Sequence, residues 1–354
     1  MLHFRFISPT LAALGAAVFF GASTPFAKQL VGHISPLLLA GLLYAGSGIG
    51  LILTRLIKDG GWHHSGLVKD DWIWLMGAVG FGGILGPIVL LFGLRLTSAS
   101  TASLLLNFEA VFTALLAWLV FKESASYRIV LGMLLIITGG ILLSWSHGET
   151  SKQGLLGSIA IAGACLCWAI DNNFTRKISA GDPLFIAGSK GVVAGVVSTS
   201  LALCFGMSFP NWLTLGYALL IGFIGYGASL VLFVLALRGL GTARTGAYFS
   251  TAPFIGAAIA ILFFHETTSA FFWAASILMG VGVGLHLTEH HEHEHTHEEL
   301  NHEHSHVHDK HHQHPHDFPW HGKEPHTHYH HHGAVKHSHP HFPDIHHRHD
   351  HKSS

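Results

Sequence analysis

The sequence predicts an all-α integral membrane protein, with ten transmembrane helices in two inverted five-helix repeats and a disordered tail. Three observations carry this. Of 354 residues, 49% are hydrophobic and only 11% charged, where a soluble domain devotes roughly a quarter of its residues to charge. A long stretch, residues 81–123, recurs as residues 224–266: a shift of 143 sets Arg95 on Arg238, Glu123 on Glu266 and Gly82 on Gly225 without a gap. From Thr288 onward the apolar pattern gives way to histidine.

Taken in order, the chain opens with MLHFRF and an apolar run, which has the outline of a secretory leader with Arg5 as its charged region. The run over 9–31 is long enough to span a bilayer. It also has a counterpart, since residues 20–26 align with 168–174 and Lys28 with Arg176. It reads as a retained first helix. Further spans are expected at 34–57, 71–95, 98–121 and 127–145, then at 154–177, 183–206, 212–237, 242–264 and 268–287. The folded units are thus 8–146 and 154–287, with a tail over 288–354. Five crossings per unit make the second enter the bilayer from the opposite side, so the repeats are inverted, a build associated with secondary transporters.

With a cytoplasmic N-terminus, ten basic residues near helix ends fall inside (Arg5, Arg55, Lys58, Lys69, Lys122, Arg128, Arg176, Lys177, Arg238, Arg244) and three outside (Lys28, Arg95, Lys152). That bias places both termini in the cytoplasm; the expected location is a bacterial inner membrane. Glycines crowd the third and eighth helices, as small residues do where membrane helices approach closely. Gly280 and Gly284 form a GxxxG that serves either a homodimer or packing within the chain. Cys165, Cys167 and Cys204 lie in apolar runs and read as small core residues rather than a disulfide framework.

The paired third–fourth and eighth–ninth helices, the arginine ending the third and eighth (Arg95, Arg238), the alanine-bearing hinge after each, and the closing LVFKE (Glu123) and LFFHE (Glu266) resemble the drug/metabolite transporter superfamily, in its ten-helix members with two EamA-type repeats. The resemblance covers about residues 8 to 287. The Glu-Pro pair often found inside the fourth and ninth helices of that family is split here into Glu109-Ala110 and Ala252-Pro253. The resemblance implies a carrier that mostly exports small metabolites, amino acids or toxic compounds through a cavity between the halves. No phosphate-binding GxxxxGK[ST] occurs, so the chain is read as driven by an ion gradient, with H+ as a candidate coupling ion, and not as an enzyme.

Ionisable groups inside a span are costly and ask for a partner or a function. Glu109, near the middle of the fourth helix and close to Asn107, reads as a proton-coupling or cation-binding carboxylate, or else as a hydrogen-bonded structural one. Asp171 and Asn172 in the sixth helix and Lys190 in the seventh form a second group of transport-pathway candidates, with Asn107 and Glu109; Asp171 and Lys190 lie at similar depth, so a structural salt bridge between adjacent helices is the alternative, and favoured, reading. Arg95, Arg238, Glu123 and Glu266, at helix ends, read as anchors or gate contacts. Trp118, Trp168 and Trp273 belong either to the lipid belt or to the cavity.

The tail holds 26 of the 33 histidines, many alternating with carboxylates, and too little apolar surface to fold. His290, His291, His293, His295, His297, His302, His304, His306, His308, His311 and His312 are candidate metal ligands of low specificity. Imidazoles without thiolates suit Zn or Ni. No cofactor is required by the helical part. The expected partners are the lipid bilayer, a small-molecule substrate and a divalent metal at the tail, with no nucleic acid. Two alternatives stand beside the metabolite or drug exporter: a Ni, Co or Zn exporter loaded from the tail, and a membrane-anchored metal sensor or buffer.

Overall fold

The structure, a computed structural model, describes residues 8–59, 61, 65–119, 126–145, 152–179 and 181–288, and further on only the backbone of four short segments. Ten helices among the described residues are long and apolar enough to cross a membrane: α1 Pro9–Val31, α2 Pro36–Asp59, α3 Asp71–Leu96, α4 Ala99–Leu116, α5 Tyr127–Ser144, α6 Gln153–Ile178, α7 Pro183–Cys204, α8 Trp212–Leu240, α9 Arg244–Phe264 and α10 Ala270–Leu287. The spans expected from hydropathy recur within a few residues. Short polar side chains start several of them. Ser8, Ser98, Asp182, Asn211 and Ser269 each accept a backbone N–H of the first turn, which satisfies donors that a helix start leaves bare.

The repeat extends to the irregularities of the helices. A π-helical stretch interrupts α3 at Val79–Leu85 and α8 at Gly222–Ala228, 143 residues on. α4 is broken: one helix ends at Leu105 and another starts at Phe108. Around the break the bonds tighten to i→i−3, from Asn107 to Leu104 O (3.1 Å), from Glu109 to Leu106 O (3.0 Å) and from Ala110 to Asn107 O (3.1 Å). The matching break in the second half separates Phe249 from Ala252, with Pro253 at the restart, where its missing N–H costs nothing.

Helices related by the repeat pack against one another in three pairs. α2 and α7 cross where Gly48 and Gly191 meet, so closely that a Cβ on Gly191 would lie 2.6 Å from the Gly48 Cα. α5 and α10 meet along Gly139, Met279 and Gly282. α4 and α9 meet at one end only: Ala99–Leu105 packs on Ala252–Phe264, while Phe108–Leu119 packs on α5 and α6. The bundle therefore has two unlike ends. One carries the start of α1 and the end of α10; the other carries the α3–α4 and α9–α10 connections.

α10 turns Gly282 towards α5, while Gly280 is exposed, with Phe254 3.9 Å from a Cβ there, and a Cβ on Gly284 would have nothing within 4 Å. One expectation is corrected. Of the cysteines, Cys165 is buried, Cys167 intermediate and Cys204 exposed, and all are free thiols; only the first is a core residue. Past α10, Glu292–Thr296 pairs with Lys336–Pro340 and Leu300–His306 with His326–His332, both antiparallel. Isolated two-stranded pairings contribute little stability, and the folded body is the helical part.

Candidate transport site

The break in α4 builds the centre of the site. Glu109 occupies the first turn of the second half-helix and is partly accessible at mid-span. Its carboxylate accepts a hydrogen bond from Asn172 Nδ2 of α6 at 2.7 Å. Asn107, at the break itself, is buried; its Nδ2 donates to Leu104 O at 2.9 Å, while its Oδ1 has no hydrogen-bond partner. The helices of Glu109 and Asp171 adjoin, because α4 and α6 pack along this half.

Next to Asn172, Asp171 and Lys190 form the expected ion pair, both side chains almost wholly buried. Thr175 Oγ1 adds a hydrogen bond to Asp171 Oδ1 at 3.0 Å. In a low-dielectric interior such a pair holds only if its remaining hydrogen-bond capacity is met. Lys190 is thus held by Asp171, and its hydrogen bond goes there rather than to Glu109.

The π-helical stretch of α3 lies against this unit. Gly82 O accepts from Tyr44 OH at 2.7 Å and from Trp168 Nε1 at 3.1 Å, so one backbone carbonyl of α3 links α2 and α6. In the other half the glycine matched to Gly82, Gly225, approaches Ser23, the residue that the repeat sets opposite Asp171. One half carries the charged pair where the other carries a hydroxyl. Aromatic rings continue the lining. Phe20 meets Trp168 (ring centroids 5.4 Å), Tyr226 (5.9 Å) and Phe249 (5.3 Å), and both Phe20 and Phe249 remain partly accessible.

The helix-end candidates separate. Arg95 is exposed. Arg238 Nη2 donates to Ser179 O (3.2 Å) and Gly181 O (2.7 Å) at the end of α6. Glu266 accepts from the backbone N–H of Ala99 (2.9 Å) and Ser100 (2.8 Å). Glu123 lies outside the described residues, as do the side chains of the tail histidines. Trp168 is buried against the site, whereas Trp118 and Trp273 are exposed. Among the described residues no group of three or more His, Cys, Asp or Glu is placed to hold a metal ion.

Sequence reasoning missed Tyr44, whose hydroxyl sits in an otherwise apolar run, and Lys28, counted only as an outside charge. It also missed the breaks, although Asn107 and Thr251-Ala252-Pro253, a turn former and a proline inside apolar spans, were available signals.

Inverted repeats with helices interrupted at mid-span around ionisable side chains define a multi-pass membrane transporter. Its family follows from the matches: the chain belongs to the EamA-like transporter family, whose model matches residues 7–145 and 155–288. Among its relatives is an uncharacterized transporter of Methanothermobacter thermautotrophicus, 28% identical over 77% of this chain and 84% of the relative. Another is the uncharacterized transporter YyaM of Bacillus subtilis, 27% identical over 68% of this chain and 81% of the relative. A solved crystal structure, 18% identical, superposes with a TM-score of 0.61 over 78% of this chain and 94% of the other, a likeness of fold alone.

Proposed function

We propose that this transporter is a secondary exporter of small metabolites, amino acids or drugs that carry an amine or other cationic group, working by alternating access between its repeats. The observation that carries this reading is Glu109: a mid-span carboxylate bonded to the neutral Asn172, on a residue that is only partly buried, with the nearby Lys190 already held by Asp171. A ligand with N–H donors would meet this carboxylate. The rings of Phe20 and Phe249 suit the apolar or cationic part. The same carboxylate can take up the coupling proton. With both termini in the cytoplasm, the α4–α9 contact lies on the outer side. The tail captures Zn or Ni at the cytoplasmic face.

The test is flux in proteoliposomes under an imposed pH gradient, with lysine, putrescine, benzyltrimethylammonium and benzoate as probes. At least one cationic probe should move with the gradient and benzoate should not, and Glu109→Gln should remove the cationic flux while the protein still purifies as a single species. Equal transport of benzoate, or cation flux unchanged in Glu109→Gln, would refute the assignment.

A further inference from the structure

The connection between α3 and α4 is held from both sides by opposite charges. Lys28, in the last turn of α1, donates from Nζ to Leu94 O and Thr97 O, both at 2.6 Å. These are carbonyls that the end of α3 leaves without intrahelical donors, and a cation there also opposes the helix dipole. Glu266, just past the end of α9, takes the amides of Ala99 and Ser100 at the start of α4, where the dipole favours an anion. A cation on the helix end and an anion on the next helix start thus bind one short connection to both halves of the molecule, since α1 and α3 belong to the first and α9 to the second.

Beneath this clamp the helices seal. Ser103 of α4 is fully buried, and a Cβ on Gly256 of α9 would lie 3.1 Å from the Ser103 Cβ and 2.7 Å from Gly21 O of α1. Phe26 and Phe264 stack edge to face between α1 and α9 at the same end (5.4 Å). Above it lies a cavity of about 420 Å³ lined by Ser98, Ser100, Thr101, Thr268 and Phe272. A polar recess thus adjoins the α3–α4 connection at Ser98 and Ser100, and the buried glycine–serine seam begins one turn further in. At the other end of the same two helices, among the described residues, Phe108–Leu119 instead packs on α5 and α6.

We propose that Glu266 and Lys28 are the latch of this end: with both docked on the α3–α4 connection the pathway is shut, and release of Glu266 from the Ala99 and Ser100 amides lets α4 part from α9. The two side chains act on the conformational step and touch no substrate. The assignment goes beyond the choice of substrate and needs none for its test.

The test uses the full chain with Cys165, Cys167 and Cys204 replaced by alanine, carrying Ser103→Cys as a reporter within the seam and, separately, Thr267→Cys as an exposed control. Labelling by a membrane-impermeant maleimide from the α3–α4 side should be slow at position 103 and about tenfold faster with Glu266→Gln or Glu266→Ala, as expected when two helix-end amides lose a charged acceptor. Lys28→Met should act in the same direction and Lys28→Arg should not. The control should label equally in every background, which reports intact, correctly inserted protein. Position 103 labelling at the same slow rate in the Glu266 and Lys28 variants, with the control unchanged, would overturn the latch. Should the Glu266 variants fail the control, the Lys28→Met and Lys28→Arg pair decides alone.

Discussion

Gly82 lies so close to Asp171 that a Cβ at position 82 would fall on the carboxylate, whereas Gly80, in the same π-helical stretch, has nothing within 4 Å of an added Cβ. Two glycines of one helical irregularity thus have different reasons to be glycine. Gly82 permits the approach of α3 to the buried ion pair; Gly80 does not border on it.

Gly82→Ala should therefore destabilise the protein by about 1–3 kcal/mol through overpacking, and should loosen the Tyr44 and Trp168 hydrogen bonds to the residue 82 carbonyl. Gly80→Ala should be neutral or slightly stabilising, because alanine costs less conformational entropy. Thermal unfolding of the two variants in detergent measures the difference; equal behaviour would remove the close approach as the reason for Gly82.

Lys190→Met should be far more damaging than its size suggests. It leaves Asp171 buried with Thr175 as its remaining side-chain partner, and breaking one side of such a pair costs about 3–5 kcal/mol. Adding Asp171→Leu should recover most of that loss, since a matched apolar pair carries no stranded charge. A double variant no more stable than Lys190→Met would show that the carboxylate has other necessary contacts.

Reporter fusions after His286 should be active only on the cytoplasmic side, as the ten-to-three bias of basic residues requires. Activity on the far side would invert the orientation and with it the identity of the latched end.

Removing residues 288–354 should abolish high-stoichiometry Zn or Ni binding while the helices still insert and transport. Flexible imidazoles must be ordered at each site, so binding should be multiple, individually modest and lost as the ligands protonate below pH ~6.5. Calorimetry on full-length and truncated protein reads the first claim and proteoliposome flux the second. Equal metal uptake by both would move the metal site into the helical part.

Much of this molecule is determined by the sequence alone. The 143-residue shift from Arg95 to Arg238, the ten spans and the opposed orientation of the halves all depend on local hydropathy and on counting crossings, and neither needs a partner helix. The Asp171–Lys190 pair was legible for a related reason: two opposite charges at one depth on consecutive spans leave each other as the nearest remedy for burial. Tertiary structure alone decided that Glu109 meets Asn172 rather than Lys190, that α4 touches α9 at one end only, and that Lys28 and Glu266 converge on one connection. These contacts depend on which faces the glycines allow to approach and on where each helix breaks. Such features are set by packing between segments far apart in the chain, and apolar periodicity looks the same whether a face meets lipid or another helix.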